Sequence, residues 1–368
     1  KSDKITVLDK DKVKHEMDLT VISSQMKQSI KDRIKQSILN LSRAKKTGLK
    51  VGWLKFQKVI NTIELKQPNV TYQLKDGKLR IQGFKSKFKL SGMEQLKNVE
   101  EFGEAKLVRN AGNFYFKVLV YEKRKTRVKT GKTVGIDFGL RTSITLSDTD
   151  GKTKKISTEV PISDRLRKLQ RGMKKKEKCS NNWYKHKTKF EKEHVKLTNR
   201  KTDKKNKVIH DLVRDYDQIF IQDENVKGWK KDKLGIESIK EKKVRVWSNR
   251  KIQNSSLGGI ISDLKSKSVT LVVDKWYAST KTCGNCKKIN DVGDAEIYRC
   301  SCGYKQDRDI HAATNILNYG LKELLKNHPI RCVEDVKMPG LGVKEDNSKI
   351  LSLNLVLKNR KPSPFRVG

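Results

Sequence analysis

The chain has 368 residues, with 84 Lys+Arg against 42 Asp+Glu and a formal net charge of +42, an excess that folding does not need and that implies a polyanionic partner. A membrane-spanning role is set aside, because no run approaches the ~18 uninterrupted apolar residues of a crossing helix. With 35% hydrophobic residues the chain can bury two modest cores, so two main domains of roughly 100–200 residues each are expected.

Residues 17–60 carry Ile22, Met26, Ile30, Ile34 and Ile38 at helical spacing with lysines between them, which predicts a basic amphipathic helix or helical pair. Short apolar runs follow. Val70–Leu74, the turn Asp76-Gly77 and Leu79–Gln82 read as one hairpin, and Lys106–Arg109, Asn110–Asn113 and Phe114–Tyr121 as a second. Together they predict a small β-barrel with a helical insertion.

A second module opens at Thr133 with a strand whose Val134, Ile136 and Phe138 share one face and Gly135, Asp137 and Gly139 the other. Asp148–Gly151 turns the chain into a further strand ending near Ser157. Residues 165–207 hold 18 Lys/Arg against 4 Asp/Glu and too few apolar positions for a buried helix. They are expected to form long surface helices along a phosphate backbone, the simpler alternative being a solvated charged hairpin. A helix at Val208–Tyr216, a strand at Gln218–Gln222, a helix over 250–267, a strand at Thr270–Tyr277 and a last helix over Asp309–Leu325 complete an α/β alternation around a mixed sheet. Beyond Pro339 the chain reads as a tail.

Chemistry is concentrated in two residue sets. Asp137 lies in VGIDFGL between glycines that leave its side of the strand bare, Glu224 ends the run IFIQDE at a strand's carboxyl edge, and Asp309 opens the last helix. Each has a plainer reading: Asp137 as a strand-end residue near a turn, Asp309 as a helix cap. Asp223 competes with Glu224 and Asp307 with Asp309. Three carboxylates converging from two strands and a helix would suit two Mg²⁺ ions ~3.5–4 Å apart, the chemistry of phosphodiester hydrolysis. The reading is therefore of an enzyme that cuts nucleic acid.

Cys283-x2-Cys286 and Cys300-x-Cys302 supply paired thiols from two knuckles, a spacing that predicts a structural tetrahedral Zn²⁺ with no open position. With no signal-peptide pattern, such clustering points to metal binding in a reducing, cytoplasmic compartment and not to disulfides. The start on Lys1 without Met leaves room for residues upstream. His311 could serve as a ligand, but it is expected on the surface of the last helix. Trp183, Tyr184, Trp229, Trp247 and Trp276 interleave the basic stretches and are candidates for stacking on unpaired bases or for partial core.

The segments VGIDFGL, DENVKGW, KTCGNCKK and YRCSCGYKQDRDIHAATNIL resemble the split RuvC nuclease and zinc ribbon of the TnpB family, transposon-encoded RNA-guided DNA endonucleases akin to the miniature type V CRISPR effectors. The likeness covers about residues 131–325. It implies an RNase H-like (RuvC) nuclease domain at 131–335 with a zinc ribbon at 280–305. It also implies a wedge-like β-barrel at 1–130 with a helical recognition insertion at about 17–60, and a tail at 336–368. It further implies a guide RNA, a target double-stranded DNA, two Mg²⁺ held by Asp137, Glu224 and Asp309, and Zn²⁺ held by the four cysteines. The pattern Asp-x-x-Ala-Ala-x-Asn-Ile selects Asp309 over Asp307. One departure is His311, where the family commonly has asparagine, which bears on how the third carboxylate is positioned. The alternative is a nuclease-inactive RNA-guided transcriptional regulator. The number of copies per RNA, monomer or homodimer, stays open.

Overall fold

The computed structural model describes residues 3–8, 13–20, 22–53, 60–123, 128–230, 238–267, 270–293, 295–327 and 348–357. It divides into two units, one of residues 1–126 and 340–368 and one of residues 127–339.

In the first unit, β1 (Lys4–Leu8) and β2 (Lys14–Asp18) form an antiparallel hairpin. Next, α1 (Ser24–Lys46) starts where the Ser23 hydroxyl accepts the Met26 amide and ends with Gly48 at φ 78° just beyond the Thr47 cap. The helical stretch is thus shorter than the expected 17–60, and part of that range, 54–59, lies outside the described residues. Only Met26 and Ser29 of α1 are buried, while Ile34 and Ile38 are exposed, so the helix is anchored by its amino-terminal half.

The strands β3 (Thr62–Leu65), β4 (Tyr72–Lys75), β5 (Lys78–Ile81), β6 (Phe88–Ser91), β7 (Glu101–Asn110) and β8 (Asn113–Lys123) share one sheet with the last strand of the chain, β16 (Ser348–Leu357). Its order is β3-β7-β8-β16-β6-β5-β4. Both expected hairpins are present. Their two-residue turns, Asp76-Gly77 and Ala111-Gly112, have positive φ throughout, the handedness that matches strand twist. Leu65, Tyr72, Leu79, Ile81, Phe116, Val118 and Val120 build one core with Met26. Among the described residues no pairing joins β3 to β4. The segment expected to be a tail contains β16, paired with β8 over nine residues. Its alternation at Leu351, Leu353, Leu355 and Leu357 is the period-two signal of a strand.

The second unit begins with β9 (Thr133–Phe138), β10 (Ile144–Asp148), β11 (Thr153–Ile156), α2 (Asp164–Lys174), α3 (Asn181–Asp215) and β12 (Gln218–Gln222). It continues through α4 (Ile239–Ser255), α5 (Leu257–Lys267), β13 (Thr270–Val273), β14 (Ile297–Arg299), β15 (Lys305–Asp307) and α6 (Arg308–Asn327). Its sheet runs β11-β10-β9-β12-β13. The first three strands are antiparallel, and β12 and β13 run parallel to β9.

Val134, Ile136, Ile144, Ile219 and Ile221 pack on one face against Val208, Ile209 and Leu212 of α3 and Ile260, Ile261 and Leu264 of α5. Each such fully buried aliphatic contributes roughly 1.5–3 kcal/mol. On the other face Phe220 and Val273 meet Ile316 and Leu317 of α6. The stretch 165–207 read as long basic surface helices forms α2 and most of α3, and the helix read separately at Val208–Tyr216 is the end of that same 35-residue α3. Its basic part carries few core contacts, and its last turns belong to the core. The strand expected over Thr270–Tyr277 stops at Val273, where Asp274 accepts the Trp276 amide at 2.9 Å and turns the chain. Among the described residues no helix is long and apolar enough to cross a membrane.

Candidate functional site

Two glycines set the site. A Cβ at Gly135 would lie 2.4 Å from the Ala313 carbonyl oxygen and 2.5 Å from the Leu317 nitrogen, and one at Gly320 would lie 2.4 Å from the Phe220 ring. Helix α6 therefore rests directly on β9 and β12. Asp137 is two residues beyond Gly135 on the same strand face, and Asp309 is one helical turn before Ala313. The strand and the helix thus bring both carboxylates to one edge. β12 is parallel to β9, with Ile221 opposite Ile136, so Glu224 leaves the sheet just past the same edge.

The electrostatics record this proximity. Asp137 is half-buried and keeps part of its side chain open to solvent. Burial first, then the charges of Asp309 and Glu224, push its pKa up to about 8, with Arg308 opposing. Glu224 is also raised, chiefly by burial, although a hydrogen bond from Trp229 counteracts it and Asp223 adds to it. Trp229, for which the sequence left base stacking or partial core open, packs against the core and hydrogen-bonds Glu224. Asp223 is exposed and pairs with Lys265 at 2.9 Å.

Asp307 and Asp309 have different surroundings. The Asp307 carboxylate accepts the amides of Asp309 at 3.1 Å and Ile310 at 3.2 Å, which makes it the cap of α6. Burial opposes its ionisation, but Lys155 at 2.8 Å and these amides hold it below the usual range. With the capping position filled, Asp309 is left to face the edge, 3.6 Å from Lys155.

The sulfurs of Cys283, Cys286, Cys300 and Cys302 all lie within 4.8 Å of one another, a group that could hold a metal. Among the described residues this is the only such tight group, and the three carboxylates are spread more widely. The first knuckle turns at Lys287 (φ 62°), with the Cys283 amide donating to Lys288. The second turns at Gly303 (φ 86°), with the Cys300 amide donating to Tyr304. Cys300 is lowered to about 6 by the Cys302 amide. Cys286, although the Lys288 amide pulls it down, is pushed up to about 11 by burial and its neighbouring thiols. Four sulfurs this close favour a shared cation, which would take them as thiolates.

His311 is not on the helix surface as expected. It is 0% exposed, stacked on Tyr298 with centroids 3.9 Å apart. At 100° per residue His311 lies well off the stripe of Ile310, Ala313 and Leu317 in α6, and the face it occupies is covered by Thr282, Tyr298 and Tyr304 of the cysteine ribbon. Of the remaining aromatics, Trp276 is 81% exposed with Lys275 over its ring, and Trp247 and Tyr184 are also exposed.

Residues 116–232 match the OrfB_IS605 family, described as probable transposase, and residues 263–316 match the Cas12f1-like TNB domain. The first match spans Asp137 and Glu224, the second the four cysteines and Asp309. A Streptomyces pristinaespiralis protein named "Putative RNA-guided DNA endonuclease" is 30% identical over 57% of this chain and 51% of its own length. "TnpB-like protein L79" of Acanthamoeba polyphaga mimivirus is 35% identical over 45% of this chain and 28% of its own length. The chain spans about half or less of these relatives. A Cas12f1–sgRNA–target DNA complex overlays on 72% of this chain and 68% of its own at 14% identity, with a TM-score of 0.29.

Proposed function

We propose that the chain, similar in sequence to TnpB-like proteins, is an RNA-guided DNA endonuclease with a single RuvC-type centre formed by Asp137, Glu224 and Asp309. The observation that carries this reading is the placement of three carboxylates, from β9, from just past the end of β12 and from the first turn of α6, at one sheet edge. Lys155, 3.6 Å from Asp309, and Arg308 beside Asp137 offset only part of the charge of three acids at one sheet edge, and divalent cations with oxygen preference would supply the rest. Two Mg²⁺ ions, when bound, would lend Lewis acidity to the attacking water and to the leaving 3′ oxygen. A two-ion centre needs its carboxylates spread over both ions, which suits a set looser than the cysteines.

The chain's own residues do the positioning. Trp229 orients Glu224, Asp307 frees Asp309 by capping α6, and Gly135 lets α6 lie close enough for Asp309 to approach Asp137. The four cysteines would hold a structural Zn²⁺. Their 3.7 Å and 3.6 Å sulfur separations compare with ~3.8 Å for a tetrahedron of ~2.3 Å Zn–S bonds.

The sheet, antiparallel through β11, β10 and β9 and parallel from β9 to β13, supports an RNase H-like nuclease domain over about 131–335 carrying the ribbon. Residues 1–130 would form the wedge-like barrel with α1 as its recognition insertion. Base pairing of a guide RNA would read the target double-stranded DNA, and the basic helices would hold phosphates.

The test is to incubate the purified chain, its copurified RNA and matching double-stranded DNA with Mg²⁺. Asp137→Ala is expected to abolish cleavage while RNA and DNA binding persist. Cleavage surviving in that variant would overturn the assignment, and target binding without cleavage in any divalent metal would favour the non-cutting regulator.

A further inference from the structure

The cysteine cluster and the first turn of α6 meet at one buried ring. His311 Nε2 lies 2.8 Å from the Thr282 carbonyl oxygen. The same oxygen accepts from Asn315 Nδ2 at 2.7 Å, and the other hydrogen of that amide goes to the Ser279 carbonyl at 2.8 Å. A carbonyl oxygen only accepts, so His311 carries its hydrogen on Nε2. The 3.0 Å approach of Asn315 Nδ2 to Nε2 is then two donors converging on one acceptor. Nδ1 is left buried with no hydrogen-bond partner among the described residues. Packing alone does not require such a ring, since an apolar one would fill the space without the unpaired nitrogen.

Both knuckles reach this ring. Thr282, whose carbonyl is doubly held, immediately precedes Cys283. The ring stacks on Tyr298 at an interplanar angle of 19°. The Tyr298 hydroxyl accepts from Asn290 Nδ2 at 2.8 Å, and Asn290 also lies 3.2 Å from the Cys300 sulfur. From the second knuckle Tyr304 comes within 5.5 Å of the imidazole, and Gly284 of the first knuckle lies against Tyr304. On the opposite side His311 is two residues from Asp309 in the same helical turn.

We propose that His311 is a positioning residue that couples the metal-loaded state of the four-cysteine ribbon to the placement of Asp309, so that ribbon integrity sets the divalent-cation affinity of the carboxylate centre. The inference rests on the reading of Asp309 as a carboxylate of that centre. Its physical basis is a short rigid path. Disorder at Cys283 moves the Thr282 carbonyl, the Nε2 hydrogen bond follows, and the α6 turn bearing Asp309 loses its fixed anchor. Hydrogen-bonded supports of this kind typically change metal affinity by about 10–100-fold when removed.

The test uses the full chain and Mn²⁺ as the probe of the carboxylate centre, with amide hydrogen exchange over residues 308–313 as a second readout. His311→Phe keeps an aromatic ring on Tyr298 but has no Nε2 hydrogen. It is expected to retain zinc, to exchange faster in the first turn of α6 and to weaken Mn²⁺ binding by roughly tenfold or more. Removing zinc from the native chain is expected to produce the same two changes, and removing it from His311→Phe to add little, the signature of a shared path. His311→Gln, which restores an amide donor toward Thr282, is expected to recover part of both and covers the case in which the Phe variant does not fold.

Native exchange and native Mn²⁺ affinity in a folded, zinc-loaded His311→Phe would overturn the proposal. So would additive effects of zinc removal and substitution. Asp309→Ala separates the two readings. If it leaves Mn²⁺ binding unchanged, the carboxylate assignment fails, whereas zinc-dependent exchange in α6 still reports on the coupling itself.

Discussion

Asp137 shows how a binding edge is built against stability. With no cation nearby, the native state keeps a proton on this carboxyl up to about pH 8, whereas its ordinary value is 3.8. The sign follows from linkage. Between those values the unfolded chain has lost a proton that the folded chain retains, so stability falls as pH rises through this window and levels off above about 8. In divalent-free buffer Asp137→Asn should therefore melt close to the native chain near pH 4, with its advantage growing to a rise of several degrees by pH 8.5. Added Mg²⁺ should narrow the gap. A melting difference that stays flat across this range would show that the three acids do not interact as the fold implies. Glu224 and Asp309 were readable as candidates from their motifs. What sequence did not reveal was the division of labour beside them, where Trp229 serves Glu224 and Asp307 serves the helix end. Short polar contacts depend on rotamers and turn geometry that spacing alone does not encode.

At the scale of elements, the approach of α6 to β9 decides whether the acids share an edge. Gly135→Ala places a methyl against the backbone of Ala313 and Leu317, atoms that cannot swing aside as a flexible side chain would. The expected loss is about 3 kcal/mol, at the upper end of overpacking effects, read as a lower urea midpoint. Gly258→Ala, with nothing within 4 Å of its would-be Cβ, should be neutral or slightly stabilising and serves as the control. Equal midpoints for the two variants would remove the argument for a forced close contact. The hairpins, β9, β12 and α6 were legible because alternation and the apolar stripe are local signals. The long α3 was legible only in pieces, because its basic segment has only a small apolar cluster around Leu197 and Phe190, while its last turns supply the core against the sheet. His311 was misplaced to the surface because it lies off the apolar stripe of α6, on a face that is buried only by segments distant in sequence, here Thr282 and Tyr298.

For the whole molecule, the net charge of +42 predicts nucleic-acid association that weakens steeply with salt, by about 0.7–0.9 in log K per log salt for each phosphate contacted. Lys185, Lys189 and Lys192 are exposed along one face of α3. Their joint replacement by Gln should lower the slope by about 2–3 and weaken binding alike for all sequences. An unchanged slope in a filter-binding titration would mean that this face does not lie on phosphate. Sequence by itself determined the strong positive charge, the strand and helix periods, the paired cysteine spacing and the acidic motifs, because each of these is written in residue type and local repeat. Only the tertiary structure decided that β16 joins the first sheet, that α6 lies against glycines at 135 and 320, and that Asp137, Glu224 and Asp309 come to one edge. Those outcomes depend on strand register and on backbone approach between segments far apart in the chain, and neither leaves a mark in the order of the residues themselves.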